Sequence, residues 1–294
     1  MLRSSVTLAR KYLSLAPSHP PKYWTDPAPL ERARMEYEIE VAGRFLRYFP
    51  ELNLQGKEVL EIGCGYGGSA ARFAELGAKR VIGLEPFQKP CKEARAFVAE
   101  KGVSGAKFVV GLGEQIPLQS NFFDVITSYD VFEHVEDLEK VLDECLRILK
   151  PGGILFAVFP PFYHPTGAHL DTWISRMPWS NVLFRCETII KAVAELLRVR
   201  NDGFSPMPMR PKDRLWALNG ATIRSVSKLV AQKRFSGAEL VLSPLFSPKN
   251  SKWESWRMKY YAFAFAPLRY VPRLRELFVN RMVLKITKSP GNSQ

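Results

Sequence analysis

The residues of this sequence best suited to chemistry surround a run of glycines. Glu61-Ile-Gly63-Cys-Gly65-Tyr-Gly67-Gly68 sets an acid two positions ahead of alternating glycines, and a second acid, Glu85, follows further along. Glycine lets a backbone turn sharply and lets a ligand approach it closely. A helix opening straight after the glycines adds unpaired backbone N–H groups and a partial positive charge, so the loop suits an anionic group, either a pyrophosphate or a carboxylate. Gly63-x-Gly65-x-x-Gly68 matches the dinucleotide fingerprint, and Glu85 can accept from ribose hydroxyls in either case.

A second group of reactive side chains lies in Pro160-Pro-Phe-Tyr163-His164-Pro-Thr-Gly-Ala-His169-Leu-Asp171. An Asp near a His orients the ring and raises its basicity, so His169, assisted by Asp171 or Tyr163, is the candidate general base for a hydroxyl acceptor. His134 follows Glu133 and serves either as a further base or to fix its loop. His19 lies in a proline-rich arm and is set aside. Two histidines and a carboxylate can also hold zinc, but their spacing matches no metal signature, and no metal site is assigned. Cys64 reads as a small packing residue and Asp124 as a structural carboxylate.

Apolar strands alternating with helices position these groups. Strands are expected at 57–62, 80–85, 107–110, 123–128 and 154–159, and helices at 69–76, 90–101 and 138–149, the last stopped by Pro151-Gly152-Gly153. This alternation gives an α/β fold with a parallel sheet covered on both faces. Residues 30–49 read as an amphipathic helix closed by Pro50, and 1–25 as a mobile basic arm or a transit peptide. About 75 residues of helical, aromatic and proline-rich sequence follow the fifth strand, including an amphipathic helix within Trp173–Arg200. Their place at the carboxyl edge of a parallel sheet makes them a candidate substrate cover. Strands at 238–243 and 281–287 close the fold. The organisation expected is an arm and helical lid (1–55), a core (56–160), a helical insertion (161–236) and closing strands with a basic aromatic segment (237–294).

The 294 residues, 46% hydrophobic and 24% charged, exclude a disordered or collagen-like chain. No stretch of eighteen or more residues lacks both charge and proline, which excludes a membrane-spanning helix. Cys64, Cys91, Cys145 and Cys186 are scattered and suit a reducing cytosol. The net charge of +13 is concentrated: residues 191–294 hold 20 Lys+Arg against 6 Asp+Glu, and residues 1–190 hold 22 against 23. A basic region asks for an anionic partner. Between Lys249 and Arg281 the cations alternate with Trp253, Trp256, Tyr260, Tyr261, Phe263 and Phe265, a mixture fit for an anionic membrane, for RNA, or for a helical cover with solvated charges.

The ordered set Glu61 to Gly67, Gly111-Leu112-Gly113-Glu114-Gln-Ile-Pro117, Asn121-Phe-Phe-Asp124 through Tyr129-Asp130-Val-Phe-Glu133-His134, and Leu149-Lys-Pro-Gly-Gly153 resembles the type-11 branch of the class I S-adenosylmethionine-dependent methyltransferases. The resemblance covers about residues 56–160. It implies a Rossmann-like, seven-stranded, mostly parallel sheet whose last strand is antiparallel, with S-adenosyl-L-methionine as cofactor. It sets Glu61, Gly63, Gly65 and Gly67 around the methionine part and gives Glu85 the ribose hydroxyls. Pro86 and Phe87 then flank the adenine, and Tyr129 and Asp130 face the sulfonium and the acceptor. Leu112 stands where many relatives carry an Asp for the adenine amino group, leaving that contact to Glu114 or to the backbone of Leu112 and Gly113. The implied activity is methyl transfer to a small-molecule, lipid or lipid-linked sugar acceptor, at oxygen. The alternatives are an RNA methyltransferase and a non-catalytic partner of another methyltransferase.

Overall fold

The computed structural model describes residues 4–18, 41–170, 174–199, 218–232, 235, 237–244, 271 and 274–290. Two compact units divide the chain: residues 1–27, 160–223 and 243–281 form one, and residues 28–159, 224–242 and 282–294 the other.

The larger unit is built on the sheet. Its elements in chain order are α2 (Val41–Tyr48), β1 (Glu58–Ile62), α3 (Gly68–Glu75), β2 (Arg80–Glu85), α4 (Gln88–Lys101), β3 (Ala106–Val110), β4 (Phe123–Tyr129), α5 (Leu138–Ile148) and β5 (Leu149–Phe159). Helix α1 (Val6–Ser14) precedes them. The short α6 (Ser180–Leu183), α7 (Cys186–Val199), α8 (Ile223–Val230), β6 (Ala238–Pro244) and β7 (Val279–Thr287) follow. The strand order is β3-β2-β1-β4-β5-β7-β6. β1 through β5 pair in parallel, and β7 runs antiparallel to β5, so the seven-stranded, mostly parallel expectation holds. Order reverses between β1 and β4: β2 and β3 build outward on one side of β1, and β5 on the other. The carboxyl ends at such a reversal splay their following loops apart and leave a crevice.

Both sheet faces are covered. Val59, Val81, Val125 and Phe156 join Phe45 and Phe49 of α2 or its end, Phe73 of α3 and Phe97 of α4 in one apolar cluster. The alternate residues Leu60 and Ile126 are also fully buried, as the two-residue period of a strand requires when both faces are packed. Helix α5 packs on β5 and buries Val141, Leu142, Cys145 and Ile148.

Several boundaries differ from the sequence expectation. Helix α4 begins at Gln88, because Pro90 in the first turn has no N–H to lose there. β5 begins at Leu149 rather than Ile154: Leu149 pairs with Phe123, and the next registered pair is Val125 with Ile154. Pro151-Gly152-Gly153 bulges between them, with Gly152 at φ 77°, and residue 288 takes up the freed groups through Gly152 N–H to Lys288 O and Lys288 N–H to Gly153 O, both 2.9 Å. The part of the arm read as mobile is helix α1, capped by Ser5 Oγ accepting from Leu8 N–H. Of the helix expected over 30–49, residues 41–48 are described; residues 30–40, and most of the basic aromatic stretch 249–281, lie outside the described residues.

Asp124 fulfils its structural reading. One oxygen accepts the Glu58 N–H at 2.9 Å and the other meets Lys150 Nζ at 2.9 Å, tying β4 to β1 and β5. Burial alone would raise its pKa, but the Lys150 ammonium and the Glu58 N–H outweigh it and hold the carboxyl below the ordinary Asp range. A depressed folded-state pKa stabilises above the unfolded value and is lost as pH falls through the folded one. Asp124→Asn should therefore cost about 1–2 kcal/mol in neutral urea titrations, and the gap to the parent should close as pH drops below about 4.

Candidate active site

The crevice is built from the loops after β1, β2, β3 and β4. Gly63 N–H and Cys64 N–H both donate to Leu84 O, at 2.8 and 3.1 Å, so the first loop is pinned to the end of β2. Gly63, Gly65 and Gly67 all take left-handed backbone, with φ of 73°, 52° and 84°. A Cβ on Gly63 would stand 2.2 Å from Val131 Cγ2, and one on Gly67 2.7 Å from both Ala94 and Phe108. Gly63 and Gly67 demand glycine on conformation and on space alike, and Gly65 on conformation. No side chain caps α3 at Gly67, so the cradle ends in the electropositive first turn of a helix.

Two acids border this cradle. Glu61, 6% exposed, accepts the Ser69 hydroxyl at the head of α3. Glu85, 8% exposed, accepts the Gly65 N–H at 3.2 Å and the N–H of Phe87. Burial nevertheless keeps its pKa above the usual glutamate value, against the lowering effect of those two donors. Beside Glu85 stand exposed apolar groups: Phe87 two positions after it, Val110 registered against it on β3, and Leu112 just beyond. On the far side of β1, Thr127 and Ser128 hydroxyls donate to Leu60 O and Ile62 O, at 3.4 and 3.3 Å. Tyr129 ends β4, half-buried, with its ring edge-on to Phe45 at 6.4 Å. Asp130 turns the chain at φ 54° and donates its N–H to Val158 O. A non-glycine residue held left-handed is a strained position of the kind that clusters at functional sites.

Hydrogen bonds thus tie Gly65 to Glu85 and Ser69 to Glu61 around one loop, while Pro86, Gly113, Tyr129 and Asp130 stand at neighbouring strand ends. Glu114 is occupied differently from the adenine contact expected of it: its Oε1 accepts the N–H groups of Glu136 and Asp137 ahead of α5. Leu112 projects outward, bridged through its backbone to Gln115. His134 Nε2 lies 3.8 Å from Glu133 Oε1, and its N–H donates to Val131 O. Ser69 and Val131 were missed by the sequence reading. Ser69 had a signal, being the first polar residue of the helix after the glycines; nothing in the sequence marks Val131 as the wall facing Gly63.

The other candidates belong to the other unit. His164 is buried; its Nδ1 accepts the Thr166 N–H at 3.1 Å, so its Nε2 carries the proton and donates to Asn280 Oδ1 at 3.1 Å. That ring is a structural link. His169 is partly exposed and left-handed at φ 52°. Tyr163 is 37% exposed, and its N–H donates to Glu276 Oε1, whose other oxygen accepts from Ile223 N–H. Asp171 lies outside the described residues.

Residues 60–157 match the model of the methyltransferase domain family. The chain is 30% identical over 210 residues to the ubiquinone biosynthesis O-methyltransferase of Bordetella avium, covering 68% of this chain and 81% of that one. The chain belongs to the class I S-adenosylmethionine-dependent methyltransferases. A sterol 24-C-methyltransferase of Pneumocystis carinii is 36% identical over 101 residues, which span 34% of this chain but only 27% of that one. Among solved structures, phosphoethanolamine N-methyltransferase 2 of Haemonchus contortus, in complex with S-adenosyl-L-methionine, superposes with a TM-score of 0.53 at 16% identity, over 84% of this chain and 52% of that one. The YcgJ protein of Bacillus subtilis gives 0.50 at 17% identity, over 85% and 100%. These two show the fold.

The cofactor of this methyltransferase is S-adenosyl-L-methionine. The cradle fits it: glycines that no Cβ can replace hold backbone open beside a helix N-terminus, and a buried acid stands at the neighbouring strand end with exposed apolar side chains around it. Gly63→Ala in this methyltransferase should lower stability by about 2–4 kcal/mol, the sum of overpacking and left-handed strain. Val131→Ala added to it should restore the packing part only, leaving about 1 kcal/mol that thermal melts can resolve.

Proposed function

We propose that this methyltransferase acts on a hydroxyl of an apolar small molecule, a lipid or a lipid-linked sugar. The observation that carries the cofactor half of this reading is the Gly65 N–H to Glu85 hydrogen bond, which fixes a buried carboxylate against the glycine cradle. Glu61, Gly63, Gly65 and Gly67 would hold the amino-acid end, Glu85 the ribose hydroxyls, and Pro86, Phe87 and Leu112 the faces of the adenine. With Glu114 committed to the N–H groups ahead of α5, the backbone of Leu112 and Gly113 is left to meet the adenine edge. When bound, the cofactor supplies an electrophilic methyl group on a sulfonium whose departure leaves a neutral thioether, so the protein's task is alignment and exclusion of water. Tyr129 and Asp130, at the strand end beside the cradle, would orient the reacting groups.

The acceptor half draws on relatives. The Bordetella avium protein is named for O-methylation in ubiquinone biosynthesis and the Pneumocystis carinii protein for a sterol; a ubiquinone precursor and a sterol are both apolar. An oxygen acceptor must lose its proton. Both ring nitrogens of His164 are engaged, so His169 is the proposed base, with Tyr163 or Asp171 assisting and His134 the rival.

Calorimetric titration with S-adenosylhomocysteine tests the cofactor assignment. Glu61→Ala and Glu85→Ala should each weaken binding about tenfold to a hundredfold, the worth of a charged hydrogen bond. Parental affinity should also rise with pH through the raised Glu85 pKa, because hydroxyl donors favour the ionised form, and Glu85→Gln should flatten that rise. No binding by the parent at high micromolar ligand counts decisively against the reading. For the base, His169→Ala should cut turnover about 10²–10⁴-fold on a quinol-type phenol with S-adenosylhomocysteine affinity unmoved. Equal turnover assigns the proton elsewhere.

A further inference from the structure

Helix α1 presents two faces of different character. Ala9 and Leu13 are buried in a cluster with Leu170, Ile174, Phe184, Ile189 and Val193. The helix is held there by Tyr12, whose hydroxyl donates to Pro178 O at 2.5 Å and whose ring lies 5.7 Å from Phe184. Past its end, Arg176 N–H donates to Ala16 O and Ser18 N–H to Ile174 O. At about 100° per residue, Leu8, Lys11 and Leu15 fall together on a strip turned away from Ala9 and Leu13. Leu8 is 42% and Leu15 72% exposed, and Lys11 between them is exposed.

We propose that this strip of α1 docks the protein onto an anionic lipid surface. The segment that carries the strip has charge of one sign: residues 1–25 contain Arg3, Arg10, Lys11 and Lys22 and no Asp or Glu. Arg10 is engaged with Glu195 of α7 at 3.2 Å, so Lys11 is the cation set within the strip itself. Single exposed leucines are ordinary on protein surfaces. Here two of them, Leu8 in α1 and Leu15 at its C-cap, flank a lysine, about 10 Å apart along the helix axis, and the opposite face is anchored so that the strip stays outward. That is the layout of a helix lying in the interfacial plane: leucines reach below the headgroups, and the lysine stem runs beside them with its ammonium at phosphate level. No described helix is long and apolar enough to cross a membrane, so the contact is peripheral. The inference stands apart from the methyl acceptor and from the cofactor cradle.

The full chain is sedimented with phosphatidylcholine vesicles with and without phosphatidylglycerol. Binding should require the anionic lipid and weaken with added salt. Leu8→Asp with Leu15→Asp should weaken it about tenfold or more, Leu15→Asp alone should act in the same direction, and Lys11→Glu should abolish the preference for anionic lipid. S-adenosylhomocysteine binding should stay at the parental value in every variant, which separates this test from that of the cradle and certifies folding. Should the double variant misfold, Leu15→Asp and Lys11→Glu decide. The proposal is overturned if the parent binds neither vesicle, if the leucine variants bind as the parent does, or if the strip instead mediates a dimer that those variants disperse.

Discussion

A backbone forced left-handed at Gly63, Gly65 and Gly67 is the constraint on which the cofactor end of the fold depends. With that conformation the chain leaves β1, donates twice to Leu84 O, and offers the Gly65 N–H to Glu85 before entering α3. The ends of β1 and β2 are thereby locked together beside the point, between β1 and β4, where the strand order reverses. Their neighbours have grown into the space that missing side chains leave: Val131 stands over Gly63, and Phe108 and Ala94 over Gly67. The loop and its surroundings are one packing solution: a methyl group on Gly63 collides with the segment after β4, and one on Gly67 with α4 and β3.

Much of this was legible from residue types. The glycines and Glu61 announce a tight turn beside an acid, and five apolar runs separated by helical patterns announce a parallel sheet, because strands buried on both faces read as continuous apolar segments. What stayed hidden depends on contacts made across the sequence. Residues 1–25 look like a mobile arm because α1 is short and basic, and its stability comes from Ala9 and Leu13 meeting Ile189 and Val193 of α7, far along the chain. Pro151-Gly152-Gly153 reads as a stop, yet β5 runs through it, since Lys288 supplies the partners its bulge needs. Glu114 and His164 look like ligand-binding side chains, and each is committed instead to partners set by the fold: backbone N–H groups at the head of α5, and Thr166 with Asn280. A polar side chain advertises its chemistry in the sequence, but its occupancy is decided by the tertiary structure.

Charge separates a dinucleotide from a sulfonium nucleoside at this loop. A pyrophosphate carries negative charge into the glycine turn, where a single helix N-terminus contributes about half a positive charge. In this protein two buried acids already border that turn. Like charges about 4 Å apart repel by about 4 kcal/mol at an effective dielectric near 20, so a pyrophosphate beside Glu61 would forfeit most of what the backbone donors contribute, whereas Glu85 serves a ribose in either ligand. Donors of the opposite kind reverse the balance. An ammonium group, a sulfonium and a pair of ribose hydroxyls all favour ionised carboxylates, and a lone amino-acid carboxylate is a small enough anion for one helix terminus to hold. Glu85 shows the matching property before any ligand arrives: burial has lifted its pKa above the usual range, so a partner that donates hydrogen bonds to it relieves a cost the folded chain already bears.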